Sequence, residues 1–300
     1  MFKNFIDIND FNKNELEKIL LFAKKIKKNP SKYDKILKNK SLGIFFEKPS
    51  LRTRVSFDIG MKKLGGNVLI INKDEIGFGT RESQSDIIKT LSLYIDCLLI
   101  RNSNHEKIKS ISKLNFLPII NGLSNYSHPC QILSDIFTIQ EYFGKLNNLK
   151  LAWIGDVNNV LISLIQAINI FNIKLNICVP KKLLLNKKLY LNELSSNNII
   201  FFNNPEEALN KVDCVMTDVW KSMGDKNSVK KIKLFRNFQV NDSLMNFANK
   251  KAVFMHCLPV RRNKEVTDSV IDGKQSIVWK QAENRMYVQQ SIMNYCINKK

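Results

Sequence analysis

The sequence predicts an α/β protein with two doubly wound parallel-sheet domains and an active site in the cleft between them. Its 300 residues exceed one typical core and suggest two domains of about 150 residues each. Short apolar strands alternate with helical segments along the chain, and the alternation restarts after the polar segment 145–150. The predicted domains are therefore 1–145, with a C-terminal helix 282–300 packing back on it, and 146–281.

The first domain is predicted from apolar runs separated by helix signals. Gly65 and Gly66 end one helix, and Pro129 and Gly144 stand at the first turn and the end of another. The predicted strands are 41–48, 67–72, 96–101 and 116–122, and the predicted helices are 51–64, 83–94 and 128–144.

The second domain repeats this pattern. Its predicted strands are 150–156, 174–180, 199–202, 213–220 and 251–259, and its predicted helices are 159–172, 181–196, a short one after Pro205 and one in the following long loop. The last helix, predicted over 282–297, is the one that packs back on the first domain. Ligands of doubly wound sheets bind beyond the carboxyl ends of the strands. The segments at those ends are 50–54, 101, 128–131, 155–159, 218–224 and 256–259.

The formal charge of +20 raises the possibility of nucleic-acid binding. The excess is almost entirely lysine spread through the chain, as expected of a composition rich in Lys, Asn and Ile. No arginine–glycine tract, zinc finger or basic arm with interleaved aromatics occurs in the sequence. The charge is instead expected to favour small anionic substrates.

The six cysteines are scattered and include no CxxC pair, which indicates reduced thiols in a cytoplasmic protein. Neither a metal site nor a cofactor is predicted. No run reaches the roughly 18 apolar residues of a membrane helix, and the N-terminus does not resemble a signal peptide. No membrane partner is expected.

The segment FFEKPSLRTRVSF, at 45–57, leads from a strand into a helix. A helix N-terminus favours an anion, Ser50 and Thr53 add hydroxyls, and Arg52 adds a planar fork suited to phosphate. The alternative is a capped helix with Arg52 and Arg54 in surface ion pairs. Only 8 of the 47 basic residues are arginines, and seven lie in or near the strand-end segments, which favours the anion site.

Other strand ends carry polar side chains suited to a small ligand. His128 and Gln131 are three residues apart at a helix start, so both can face one carbonyl group, although His128 could simply cap the helix. Asp218 could hold an ammonium group. Cys257 alone is more typical of a small buried residue.

Together these segments resemble the aspartate/ornithine carbamoyltransferase family, and among its members the ornithine-specific ones most. The matching motifs occur in the family's order over nearly the whole chain: FEKPSLRTRVSFDIGMKKLGG, HPCQ, DVWKSMG, HCLP and QAENR. The resemblance implies two α/β domains with the active site between them, in a homotrimer. It also implies transfer of a carbamoyl group from carbamoyl phosphate to the δ-amine of L-ornithine, giving L-citrulline for arginine biosynthesis.

The resemblance also implies roles for particular residues. Those for carbamoyl phosphate are Ser50, Leu51, Arg52, Thr53, Arg101, His128, Gln131, Cys257, Leu258 and Arg285. Those for ornithine are Asn159, Asp218, Ser222 and Met223. The catalytic ones are Arg101, His128, Gln131 and Cys257, with His128, Gln131 and Arg101 expected to stabilise the developing oxyanion.

Two positions depart from the family pattern. Leu51 stands where a threonine is usual, and Gly77 replaces a glutamine that reaches carbamoyl phosphate, with Arg81 nearby as a possible substitute. The motif HCLPVRRN resembles relatives that use N-acylated ornithine, whereas Asp218 suits a free α-ammonium. The alternatives are another acceptor, such as N-acetylornithine, putrescine or aspartate, and a nucleic-acid-binding protein that has kept the fold.

Overall fold

The structure is a computed structural model that describes residues 2–76, 82–185, 196–220 and 228–298. The chain divides into two compact units, Met1–Phe137 with Asn284–Lys300, and Thr138–Glu283. The boundary between Phe137 and Thr138 falls inside the predicted helix 128–144. Each unit is described below by itself.

Unit 1 contains four strands and the helices that connect them. Its strands are β1 (Ser41–Phe46), β2 (Asn67–Ile71), β3 (Cys97–Arg101) and β4 (Ile119–Leu123). Its helices are α1 (Lys13–Lys28), α2 (Leu51–Lys63), α3 (Lys73–Ile76), α4 (Gln84–Leu91), α5 (His105–Lys113) and the first part of α6 (Pro129–Phe143), and the last helix of the chain (Val278–Asn298) returns to this unit from residue 284.

The sheet of unit 1 is parallel with the order β2-β1-β3-β4. The chain leaves β1 toward β2 on one side and returns to β3 on the other, so the order reverses between β1 and β3. Crevices for ligands form at such a switch point, outside the carboxyl ends of the strands. The two segments that leave this point are the loop containing Ser50 and the end of β3 at Arg101.

Unit 2 contains a five-stranded parallel sheet. Its strands are β5 (Lys150–Ile154), β6 (Lys174–Cys178), β7 (Ile199–Phe202), β8 (Cys214–Thr217) and β9 (Val253–His256). Its helices are the rest of α6, α7 (Asn159–Phe171), α8 (Lys181–Leu185), α9 (Pro205–Leu209), α10 (Ser228–Lys233), α11 (Asp242–Met245), α12 (Asp268–Ile271) and the first residues of the last helix, α13.

The strand order of unit 2 is β7-β6-β5-β8-β9, which reverses between β5 and β8. Gly155 follows β5 with φ of +146°, and a Cβ there would lie 3.2 Å from Thr217 Oγ1 on β8. Glycine therefore lets the chain turn sharply at the switch point while the two strands stay close. Asn158 and Asp218 leave the sheet at this same point.

The predicted doubly wound parallel sheets are confirmed. The longest helices of the described residues that are absent from the sequence prediction are α1 and α5. Both are amphipathic and bury one apolar face, with Leu16, Ile19 and Ala23 buried on α1. The last helix begins at Val278, four residues earlier than predicted, because Val278 is buried and continues the helical core. Within the described residues, no helix is both long and apolar enough to cross a membrane.

Candidate active site

The loop after β1 and the end of β3 bring three side chains together at the switch point of unit 1. Ser50 is the N-cap of α2, but no side chain caps the helix there. The Ser50 hydroxyl instead donates to Thr53 Oγ1 at 3.0 Å and accepts from Arg101 Nη1 at 2.8 Å. The first backbone N–H groups of α2 therefore lie next to a buried guanidinium group, which is a favourable place for an anion.

Arg285, on α13, reaches the same place. Its Nη2 donates to Thr53 Oγ1 at 2.6 Å, and Arg101 Nη1 lies 3.3 Å from that oxygen. Thr53 is 1% exposed, so its hydroxyl oxygen is a buried acceptor shared by two arginines. Thr53 thus fixes the position of both guanidinium groups.

The positive charges of these arginines repel one another. Burial, followed by the charges of Arg285 and Arg52, lowers the pKa of Arg101 to about 10. Arg101 stays protonated at neutral pH, and the cluster concentrates positive charge in a largely buried place. A dianion bound there would relieve this repulsion.

His128 immediately precedes α6 and is also buried. Burial, and then the charges of Arg285 and Arg101, hold the pKa of His128 well below its usual value. The imidazole is therefore neutral at physiological pH and keeps one N–H that can donate to an oxygen.

Gln131 is one turn into α6 and 2% exposed. Its Nε2 donates to Asp135 Oδ1 at 2.8 Å, an orientation favoured because a carboxylate only accepts. Gln131 Oε1 is buried and has no partner among the described residues. The side chain therefore offers a hydrogen-bond acceptor.

The loop before His128 is tied to the N-terminal segment. Phe5 forms a β-bridge with Ile120 on β4. Two residues later, Asp7 Oδ1 accepts a hydrogen bond from Ser127 Oγ at 2.8 Å. Ser124 Oγ accepts from the Ser127 N–H at 3.0 Å. Residue 7 thus helps to place the residue next to His128.

A second polar cluster lies at the switch point of unit 2. Asp218, at the end of β8, is 7% exposed, and its Oδ2 accepts from Asn158 Nδ2 at 2.7 Å. Its Oδ1 accepts from the Val219 N–H at 2.8 Å and from Cys257 Sγ at 3.3 Å. The carboxylate is held in one orientation by these contacts and could meet an ammonium group.

Asn158 has two roles in this cluster. Its Oδ1 caps α7 by accepting from the N–H groups of Val160 and Leu161, while its Nδ2 holds Asp218. Asn159, the predicted ornithine contact, is the first residue of α7 and half-buried. Of the two neighbouring asparagines, Asn158 is therefore the one that contacts the Asp218 carboxylate.

Cys257 and Leu258 follow β9, and both are half-buried. The donor atoms of Asp218, His256 and Cys257 lie within 4.8 Å of one another, a spacing at which a metal could bind. His256 Nδ1, however, already accepts the Leu258 N–H, and Nε2 faces Glu265. The imidazole would have to break this arrangement to bind a metal, so the cluster fits a metal poorly.

The remaining predicted residues differ in how they are placed. Arg52 and Leu51 are exposed at the start of α2, and the Leu51 side chain, 68% exposed, adds no hydroxyl there. Ser222 and Met223 lie outside the described residues, as do Gly77 and Arg81.

Several residues that shape these clusters are absent from the sequence prediction. Asp135 lies four residues after Gln131 on one helix face, and this spacing could have revealed it. Asp7 and Ser127 are 120 positions apart, and no local pattern links them.

Two parts of the chain match the two domains of one protein family. Residues 3–141 match the family profile described as the carbamoyl-P binding domain of aspartate/ornithine carbamoyltransferase, and residues 147–296 match its Asp/Orn binding domain. An ornithine carbamoyltransferase of Ruthia magnifica subsp. Calyptogena magnifica is 43% identical over 301 residues, which cover 99% of this chain and 100% of that protein.

Two solved structures share the fold. The ornithine carbamoyltransferase of Pyrococcus furiosus has a TM-score of 0.90 and 36% identity, with 99% of this chain and 98% of that chain covered. The anabolic ornithine carbamoyltransferase of Campylobacter jejuni has a TM-score of 0.89 and 32% identity, with 99% and 100% covered.

Proposed function

We propose that this chain, which belongs to the aspartate/ornithine carbamoyltransferase family, transfers the carbamoyl group of carbamoyl phosphate to the δ-amine of L-ornithine. The products are L-citrulline and inorganic phosphate. The observation that carries the proposal is the convergence of Arg101 and Arg285 on the buried Thr53 hydroxyl beside the start of α2. This arrangement suits a phosphate dianion better than a nucleotide or a neutral ligand.

The phosphate group of carbamoyl phosphate is placed at the N-terminus of α2. Ser50, Thr53 and the first backbone N–H groups of the helix bind the phosphate oxygens. One of these N–H groups belongs to Leu51, which needs no side-chain hydroxyl for this contact. Arg52, exposed at the same helix start, adds a bidentate fork. These contacts stabilise the negative charge that builds on phosphate as it leaves.

The carbonyl oxygen of the carbamoyl group is placed against His128 and Arg101. A neutral imidazole N–H and a guanidinium group both donate, and both stabilise the developing oxyanion. We assign Gln131 a different part from the oxyanion role expected from the sequence. Its Oε1 is an acceptor, so it suits the carbamoyl NH₂ group.

The amino acid is placed on unit 2, with its α-ammonium group on Asp218. Cys257 and Asn158 orient that carboxylate, and Asn159, Ser222, Met223 and the Leu258 backbone complete the contacts in this proposal. The neutral δ-amine attacks the carbamoyl carbon and forms the new C–N bond, the C–O bond to phosphate breaks, and the proton of the amine passes to the departing phosphate. The step needs no covalent enzyme intermediate and no metal, and much of its rate comes from positioning two substrates.

Three other amines are alternatives to L-ornithine as the acceptor of the carbamoyl group. Asp218 favours a free α-ammonium over the acylated one of N-acetylornithine, while putrescine has no α-carboxylate and aspartate no δ-amine. Carbamoyl transfer should be measured with these four acceptors at equal concentration. Ornithine is expected to give a kcat/KM at least about 100-fold above the others, since each of the others lacks the free α-ammonium, the α-carboxylate or the δ-amine of ornithine. A higher value with any other acceptor would contradict the assignment.

A different class of function, nucleic-acid binding on the retained fold, has the net charge of +20 as its support. It predicts salt-sensitive binding of DNA or RNA at physiological salt together with no turnover. Turnover with carbamoyl phosphate would rule it out as the primary role.

We also infer that the protein forms a homotrimer, as expected from the family. Apolar side chains exposed on α2 and on the edge strand β2 support self-association, namely Val55, Ile59, Leu69 and Ile70. A solution mass of three times the 34.7 kDa chain is expected by light scattering. The six free thiols support a reducing compartment such as the cytoplasm, and the anabolic Campylobacter jejuni relative supports a role in arginine biosynthesis.

A further inference from the structure

The turn after β9 contains a residue in an unfavourable backbone conformation. Leu258 has φ of +58°, in the left-handed region. This region is sterically unfavourable for a residue other than glycine, and it persists only where surrounding contacts hold it. The contacts that hold Leu258 therefore bear on how the neighbouring Cys257 is placed.

The contact nearest to the strain comes from His256. Its Nδ1 accepts the Leu258 backbone N–H at 2.9 Å. A ring nitrogen that accepts a hydrogen bond carries no proton, so the proton of the neutral ring lies on Nε2. Nε2 lies 3.3 Å from Glu265 Oε1, and both side chains are 0% exposed.

The partners of His256 are themselves fixed. Glu265 Oε1 accepts the Arg261 N–H at 2.6 Å, and the Glu265 backbone oxygen accepts from the Val240 N–H at 2.9 Å. The His256 backbone N–H donates to Gln281 Oε1 at 3.0 Å. The ring accepts a hydrogen bond at Nδ1 and faces the Glu265 carboxylate at Nε2, so a rotation of the ring would break the buried Nδ1 contact.

Cys257 lies between His256 and the strained Leu258. Its thiol donates to Asp218 Oδ1 at 3.3 Å, and it is half-buried, whereas the other five cysteines are buried. A change in the Leu258 backbone would rotate the adjoining peptide and move the thiol away from Asp218. The reactivity of the Cys257 thiol therefore reports on the backbone conformation of this turn.

We propose that His256 is a positioning residue whose Nε2-protonated imidazole, facing Glu265, holds Leu258 in the left-handed conformation and so directs the Cys257 thiol at Asp218. Its role in turnover rests on the proposed function, in which Cys257 and Leu258 contact the substrates. His256 itself touches the turn and not the substrate.

The tautomer is tested on the unaltered protein. The chain has three histidines, so histidine labelled with ¹⁵N gives three pairs of ring signals, and the pair lost in a His256→Asn variant belongs to His256. Long-range ¹H–¹⁵N spectra are expected to show a neutral ring with its proton on Nε2. A proton on Nδ1 would overturn the proposal, because that nitrogen could not accept the Leu258 N–H.

The holding role is tested with two variants that differ in where they place an amide oxygen. Asparagine puts its oxygen close to the position of Nδ1, whereas glutamine reaches the position of Nε2. Each substitution, His256→Asn or His256→Gln, is combined with Glu265→Gln so that no unpaired carboxylate is buried. Glu265→Gln alone is the control, and melting temperature and phosphate binding report whether unit 1 stays folded.

The first readout is the rate at which iodoacetamide alkylates Cys257. A thiol that donates to a carboxylate reacts slowly, because the thiolate is the nucleophile. The double variant carrying His256→Gln should therefore react at least about threefold faster than the control, and the one carrying His256→Asn within about twofold of it. Equal rates in the two double variants would overturn the proposal.

The second readout is turnover. The double variant carrying His256→Gln should lose on the order of 100-fold in kcat with carbamoyl phosphate affinity unchanged, whereas the one carrying His256→Asn retains most activity. If the unaltered protein showed no carbamoyl transfer, the proposed function would fail. The tautomer and alkylation results would still decide the role of His256.

Discussion

At the scale of single residues, the two clusters divide the chemistry between charge types. Unit 1 gathers Arg101, Arg285 and the neutral His128, while unit 2 presents Asp218 with its donors. In the proposed function, an anion and a cation are therefore recognised by different residues. Substitutions in the two clusters should affect different substrates.

Arg52→Lys tests the fork at the start of α2. Lysine keeps the positive charge but cannot bind two phosphate oxygens in one plane, so kcat/KM for carbamoyl phosphate should fall about 100-fold with folding intact. Arg54→Lys is the matched control, since Arg54 is also exposed on the same helix but faces another direction. Unchanged kinetics in the Arg52 variant would remove this residue from the phosphate site.

Asp218→Asn tests the amino-acid cluster. The amide adds a donor where Asn158 and Cys257 already donate, and it removes the charge that attracts ammonium. The KM for ornithine should rise by about 100-fold or more, while the Kd for inorganic phosphate stays within about twofold. Asp242→Asn, at an exposed helix start in the same unit, is the control. An equal loss for both ligands would contradict the separate roles.

At the scale of elements, the proposed phosphate site depends on one hydroxyl group that links three elements. Thr53 on α2 accepts from Arg101 at the end of β3 and from Arg285 on α13. Helix α13 is thereby fixed to α2, whose N-terminus is the proposed place for phosphate. Thr53 thus organises the site in addition to any direct contact with the ligand.

Thr53→Val tests this link, because valine has nearly the same shape and lacks the oxygen. The two guanidinium groups lose their shared acceptor, and the Kd for carbamoyl phosphate should rise about 10- to 100-fold, as for loss of charged hydrogen bonds. Thr53→Ser should restore most of the affinity. Titration calorimetry measures both variants, and an unchanged Kd for the valine variant would show that the hydroxyl does not organise the site.

The elements also show what local patterns can predict. The alternation of strands and helices sufficed to predict both parallel sheets, and the rule of the carboxyl ends placed Arg101, His128 and Asp218 beside them. Helix α5 was not predicted, because its short amphipathic run HEKIKSISK resembles a polar connection. Contacts such as Asp7 with Ser127 join distant positions and depend on tertiary packing alone.

At the scale of the whole molecule, buried histidines make stability depend on pH. Burial, followed by the Lys109 charge and opposed by Glu106, lowers the pKa of His105 to about 4, and Asp7 Oδ2 lies 3.7 Å from its Nε2. The folded protein favours the neutral form of His105. The contribution of His105 to the free energy of unfolding is therefore complete above the pKa of about 6.5 in the unfolded chain, and it is lost as the pH falls toward 4.

Urea unfolding followed by far-UV circular dichroism measures this loss. Between pH 7 and pH 4, the unaltered protein should lose about 3 kcal/mol more unfolding free energy than His105→Asn, whose amide oxygen can still meet Ser124 Oγ. His128 contributes in the same direction in both proteins, so it cancels in the comparison. A parallel pH dependence of the two proteins would show that His105 is not held neutral by the fold.

The most direct measurement of the central claim follows citrulline and inorganic phosphate in the same reaction of purified protein with carbamoyl phosphate and L-ornithine. Equal amounts of both products are expected, with formation of each above the uncatalysed background requiring both substrates. Phosphate release without citrulline, or no turnover at all, would contradict carbamoyl transfer.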